Sequence, residues 1–93
     1  MDIICQGDLV ISLKGRDKNN TFLVIAGEGD YVYIADGKIR KVKSLKMKKK
    51  KHLKKILSAG LKGLAEKIYN GQSVGDKSLR QQISTVNKKI QEE

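Results

Sequence analysis

Cysteine is nearly missing from this 93-residue chain: Cys5 stands alone, and His52 is the single histidine. A lone cysteine excludes an internal disulfide, and one Cys with one His cannot build a structural zinc site. Aromatics are few, namely Phe22, Tyr31, Tyr33 and Tyr69, so the core has to come mainly from Ile, Leu and Val. Long apolar runs are missing too. Ile3-Ile4-Cys5 meets Gln6-Gly7-Asp8 at once, which leaves no signal-like opening, and no run approaches the ~20 residues of a membrane span. These absences lead to the expectation of a reducing, cytoplasmic setting without a membrane partner.

Catalytic constellations are scarce as well. No Ser stands with the His and an acid in a recognisable arrangement. Gly27-Glu28-Gly29 lacks the Gly-Lys-Ser or Gly-Lys-Thr that would make it a phosphate loop. Asp8, Asp17, Asp30 and Asp36 all sit at turn-like positions, where Asp serves the backbone. A chain this short also buries a modest core and has little room for a deep cleft. The expectation is a non-catalytic protein with no catalytic residues, no metal and no cofactor.

What the chain has in excess is positive charge, and the excess is local. The net charge is +10, yet residues 1–37 carry three basic and six acidic side chains. Residues 38–55 carry eleven basic side chains and no acid. An acidic-to-neutral body with one concentrated basic segment is the pattern of a polyanion-binding surface. The plainer reading, a solvated lysine loop, leaves eleven unbalanced charges held close together by neighbouring strands.

Taken in order, Met1 to Gln6 is a lead-in whose Ile3-Ile4 can join the first strand. Leu9–Leu13 and Thr21–Ile25 are apolar runs around Gly15 and the polar loop Arg16–Asn20, which predicts a β-hairpin. Gly15, Asn19 and Asn20 are the residues there that tolerate a left-handed backbone. Alternation in the first run predicts one buried face and one turning polar. A turn at 27–30 precedes a third strand at 31–35. Asp36-Gly37 gives the strongest two-residue hairpin signal, and Ile39–Lys43 reads as the fourth strand. Leu53, Ile56, Leu57, Leu61, Leu64 and Ile68 fit helical spacing, which Gly60 and Gly63 weaken. Residues 51–69 thus read either as helix or as a strand at about 51–56 followed by a short helix at about 61–69 ending at Asn70-Gly71. Asp76 to Gln91 reads as a further helix. Asp76 or Ser78 can cap the last helix, Ser78 with Gln81 having capping-box spacing. Leu79, Ile83, Val86 and Ile90 form its apolar stripe, which can dock on the barrel, dimerise or meet a partner.

The stretch from Gly7 to Lys18, GDLVISLKGRDK, resembles the KOW motif of ribosomal and transcription-elongation proteins, matching at Gly7, Asp8, Val10, Gly15, Asp17 and Lys18. Family members often carry Gly where this chain has Asn19. The likeness continues through Asp36-Gly37-Lys38 and Lys50–Leu53, and there it is similar to a small branch of large-subunit ribosomal proteins with an N-terminal KOW barrel. It implies a small SH3-like barrel that binds RNA, with Arg16 and Lys18 on phosphates and Asp17 bracing the turn.

The fold class expected is therefore mainly β: an SH3-like barrel of about five strands over residues 1–57, and one or two C-terminal helices over 58–93. The candidate RNA-binding residues are Lys14, Arg16 and Lys18 at the hairpin tip, with Lys38, Arg40, Lys41, Lys43, Lys46, Lys48, Lys49, Lys50, Lys51, Lys54 and Lys55. Lysines are compact point charges suited to phosphates rather than base edges. Tyr31 and Tyr33, which share a strand face, can stack on bases or pack against the barrel. The expected partner is RNA, ribosomal RNA first, with ribosomal proteins beside it. The alternatives are a protein-interaction module of the transcription or translation machinery and an architectural DNA-binding protein.

Overall fold

A computed structural model describes residues 3–58 and 60–91, residues 89–91 by their backbone alone. The first two residues of the lead-in, Ala59, the last two residues and the Ile90 side chain lie outside the described residues. Five strands, β1 (Asp8–Ser12), β2 (Thr21–Glu28), β3 (Tyr31–Ala35), β4 (Lys46–Lys49) and β5 (Leu53–Ser58), are followed by helices α1 (Lys62–Tyr69) and α2 (Asp76–Gln91). The sheet is antiparallel throughout, in the order β4-β3-β2-β1-β5, and a single 3-10 turn at Lys50–His52 joins its two edges. This is the small, mainly β, barrel-like architecture expected, with two helices after it.

Two register shifts curl the sheet. One falls between Leu9 and Val10 against β5, the other between Val24 and Ala26 against β3. An extra residue on one side of a ladder bends the strand and increases its twist. Val10, Phe22, Val24, Val32 and Ile34 consequently enclose one core with Ile4 and Leu53. Leu9, Leu23, Ile25 and Ala35 point the other way and are equally buried, under Ala65 and Ile68 of α1 and Leu79 and Ile83 of α2. The expectation of one buried and one polar face fails for this reason: the helices cover the convex side of the sheet. The near-continuous runs FLVI and YVYIA fit burial on both faces. Of the stripe on α2, Leu79 and Ile83 dock on the barrel and Val86 packs at the margin.

The β1–β2 connection turns through two left-handed residues, Gly15 at φ 84° and Asn19 at φ 74°. Glycine adopts this backbone freely and asparagine more readily than most residues. Other expectations need correction. The two-residue hairpin is at Gly29-Asp30, because β2 runs on to Glu28 and pairs it with Tyr31. Asp36-Gly37 instead opens a wide loop. The Asp36 carboxylate accepts the Lys38 and Arg40 amides at 2.9 and 2.8 Å, so the chain bends there and Ile39–Lys43 forms no strand. The fourth strand is displaced to the lysines at 46–49, and the fifth starts at Leu53, after the 3-10 turn. Ile3-Ile4 lies outside the strands; Ile4 plugs the barrel interior.

At the start of α2, Asp76 is the first helical residue, and its carboxylate accepts the Val42 amide at 2.8 Å. Ser78 lies inside the first turn, so the predicted capping box does not mark the boundary. Gly37 is buried against this turn: a Cβ there would overlap the Asp76 carbonyl, and its own carbonyl accepts a hydrogen bond from Arg80 Nη1. The bend at Asp36-Gly37 thus seats the helix.

Candidate nucleic-acid interface

The predicted cations divide into those the fold consumes and those it leaves free. Asp17 is 3% exposed, between Arg16 and Lys18 in the hairpin tip. Its carboxylate takes Arg40 Nη2 at 3.1 Å on one oxygen and Lys48 Nζ at 3.4 Å on the other. Burial pushes this carboxyl up. The Arg40 hydrogen bond and the charges of Lys48 and Arg40 outweigh that and hold it below its ordinary value. Lys48 Nζ also donates to Ser12 Oγ at 2.8 Å and to the Lys14 carbonyl at 2.7 Å, and its side chain is only 10% exposed. Lys55 Nζ lies 3.4 Å from Asp8 and 3.3 Å from the Ile3 carbonyl. Lys48 and Arg40 are therefore braces of the hairpin tip, and Lys55 ties the lead-in to β5. These three expected phosphate contacts thus have carboxylate partners within the fold.

The reason lies in strand direction. On β4, Lys48 stands opposite Val32 and Lys49 opposite Tyr31, so consecutive lysines point to opposite faces. Lys48 is aimed inward, toward Ser12 and the hairpin tip; Lys49 is aimed outward.

The remaining candidates do not form one patch. Lys38, Lys41 and Lys43 are exposed on the loop that holds α2, and Lys43 borders a hollow formed with Val42, Ile68 and residues 71–75. Arg16 and Lys18 are exposed at the hairpin tip, and Lys46 is exposed at the start of β4. Lys14, Lys49, Lys50, Lys51 and Lys54 gather where the two edge strands meet at the 3-10 turn. The Leu13 amide donates to the His52 carbonyl at 2.8 Å, which brings the end of β1 against that turn. His52 registers the gathering: partial burial first, then the charges of Lys14, Lys51, Lys49 and Lys48, hold its imidazole below the ordinary histidine range.

Here the barrel opens into a groove of about 860 Å³. Its walls are Lys49, Lys50, Lys51, Lys54 and Lys55, with Asp30 the one acid among them. The barrel core shows through as Ile4 and Leu53, and Ile3, Leu13 and Tyr31 complete the lining. Lys49 Nζ lies 5.9 Å from the centre of the Tyr31 ring. Tyr33 belongs instead with the residues packed under the helices, so the two tyrosines have different roles. Ile3 and Leu13 are groove residues that sequence reasoning missed. Leu13 had a signal, an apolar residue at the edge of the polar hairpin loop; Ile3, in the lead-in, had none.

Among the described residues no group of three or more His, Cys, Asp or Glu is placed to hold a metal ion, and no helix is long and apolar enough to cross a membrane. No protein-family model matches the chain, and no curated protein matches it.

Proposed function

We propose that this protein is a non-catalytic, cytoplasmic RNA-binding protein that contacts the phosphates of ribosomal RNA through the lysine-rich end of its barrel. The observation that carries the reading is the convergence of Lys49, Lys50, Lys51 and Lys54 on one groove that holds a single acid, with Lys14 near it beside His52. Cations held at fixed positions displace the counterions condensed on a polyanion, and the gain is entropic and sequence-independent. A rigid arrangement favours an RNA whose phosphates match its spacing, so selectivity comes from RNA shape. The resemblance of Gly7–Lys18 and of the elements after it to KOW-barrel ribosomal proteins supports RNA over DNA as the polyanion.

Titration of a structured ribosomal RNA fragment at several salt concentrations tests the reading. The logarithm of affinity should fall by roughly 0.7 to 0.9 per phosphate neutralised for each unit of log salt. Replacing Lys49, Lys50 and Lys51 by Gln should flatten that dependence by about one per lysine that touches a phosphate. Equal affinity for duplex DNA would move the reading to an architectural DNA-binding protein. Exposed Ile56 and Leu57 on the edge strand β5 favour the second reading, a protein-interaction module of the transcription or translation machinery. That reading requires binding that survives high salt.

A further inference from the structure

A surface that only grips phosphates has no use for apolar side chains between its lysines, yet this groove displays them. Ile3 is 78% exposed, Leu13 44% and Tyr31 37%, whereas the Phe22–Ile25 run of the central strand is fully buried on both sheet faces. They share one concavity with Lys49, Lys50 and Lys51. We infer that the groove holds an unpaired nucleotide of the RNA, its base stacked on the Tyr31 ring against Leu13 and Ile3, and its flanking phosphates on Lys50 and Lys51. The inference rests on the proposed RNA-binding function and adds to it a preference for single-stranded RNA at this end of the barrel.

The charge balance selects the occupant. An apolar peptide segment would leave the lysine walls unpaired. An acidic peptide would satisfy them but has no flat group for the ring. A nucleotide offers both, since every base has a π-face and every phosphate a charge. Lys49 lies close to the Tyr31 ring in the free protein, a contact weaker at an exposed site than base stacking. A base arriving on the ring displaces that ammonium, which then meets a phosphate. Base stacking on an exposed ring does not read sequence, so the groove discriminates paired from unpaired RNA rather than one base from another.

The test compares three RNA probes with equal numbers of phosphates: a blunt duplex hairpin, a hairpin whose stem is shortened to offset a single-stranded extension, and that second probe made abasic at successive positions of the extension. Wild-type protein should bind the extended hairpin more tightly than the blunt one, and an abasic substitution at one position should erase the difference. Tyr31→Ala should lose about 5- to 100-fold on the extended probe and little on the blunt one, while Tyr31→Phe keeps the preference. Leu13→Ser, at a residue outside the strands, should reduce the preference in the same direction; thermal melting of each variant checks that the fold is intact. Equal loss on all three probes, a Tyr31→Ala protein that keeps the preference, or displacement of the extended probe by a glutamate-rich peptide at equal charge concentration would overturn the inference. Failure of the wild-type protein to bind any of the probes would instead overturn the RNA-binding reading itself.

Discussion

Replacement of Lys48 separates the two roles that this structure gives to neighbouring lysines. Its ammonium reaches Ser12 Oγ, the Lys14 carbonyl and one Asp17 oxygen, at 2.8, 2.7 and 3.4 Å. Lys48→Gln removes a charged donor from a largely buried site. A buried charge left wholly unpaired costs about 3–5 kcal/mol. The loss here should be smaller, because Arg40 remains on Asp17, Ser12 Oγ still donates to the Lys14 carbonyl, and that carbonyl can take a water. About 1.5–3 kcal/mol is the expected destabilisation. For a domain of this size that lowers the melting temperature by roughly 6–24 °C. Lys50→Gln and Lys51→Gln should leave stability within about 0.5 kcal/mol, since surface substitutions away from such networks cost little. RNA titration should show the opposite order: Lys50 and Lys51 variants with a salt dependence reduced by about one, and the Lys48 variant with the wild-type dependence below its melting point. Urea unfolding and the salt titration together give both readouts. A Lys48→Gln protein of wild-type stability whose salt dependence falls by one would refute the assignment of Lys48 as a brace.

Three further outcomes follow from the geometry. Leu79→Ala should cost about 2–5 kcal/mol by urea unfolding, because the side chain is fully buried between α2 and the sheet; a value under 1 would mean that α2 does not hold its place in solution. Gly37→Ala pushes a methyl group into the Asp76 carbonyl at a residue with φ 76°, and should destabilise by about 2–4 kcal/mol with loss of helical circular dichroism from α2. His52 has its pKa lowered in the free protein, first by partial burial and then by the surrounding lysines, so it is neutral at pH 7. A polyanion that cancels the lysine field raises that pKa, the complex takes up a proton, and affinity should rise as the pH falls from about 7 through the free-protein value; His52→Gln should flatten this rise, and an unchanged pH profile would place the polyanion elsewhere.

The fold was legible wherever local pattern and tertiary demand agreed. The runs at Leu9 and Thr21 with Gly15 between them, the strand at 31–35 and the helix at 76–91 all declare themselves by composition and spacing, whereas helical spacing from Leu53 to Ile68 runs across a strand and a helix alike. The failures have a common physical origin in side-chain chemistry that reaches across the chain. Asp36-Gly37 has the composition of a tight hairpin, but the Asp36 carboxylate captures two downstream amides and Gly37 is taken up by packing against α2. Ile39–Lys43 has a strand's alternation, yet its Val42 amide is claimed by Asp76. Neither partner is visible in a local window. The lysine run hides more. Lys48–Lys51 has no periodicity to read, so nothing local distinguishes the inward Lys48 from Lys49 beside it; only the pairing of β4 with β3 does that.

The same pairing explains how a barrel of this size tolerates eleven basic residues between Lys38 and Lys55 with no acid among them. Strand alternation turns Lys48 inward onto Asp17, Arg40 from the loop before β4 joins it there, Lys55 of β5 reaches Asp8, and the other basic side chains are left without these carboxylates. The paired group tightens the hairpin tip against β4 and the lead-in against β5. It thereby fixes the backbone on which the other cations are displayed, and an electrostatic surface selects for shape only if its charges keep their spacing. Random placement of the same lysines would raise affinity for any polyanion without discrimination. On the proposed reading the structural lysines contribute to recognition indirectly, by holding Lys49, Lys50, Lys51 and Lys54 around one groove. A substitution that loosened the Asp17 network would be expected to blur selectivity between RNA shapes before it abolished binding, because the charges remain when their arrangement is lost.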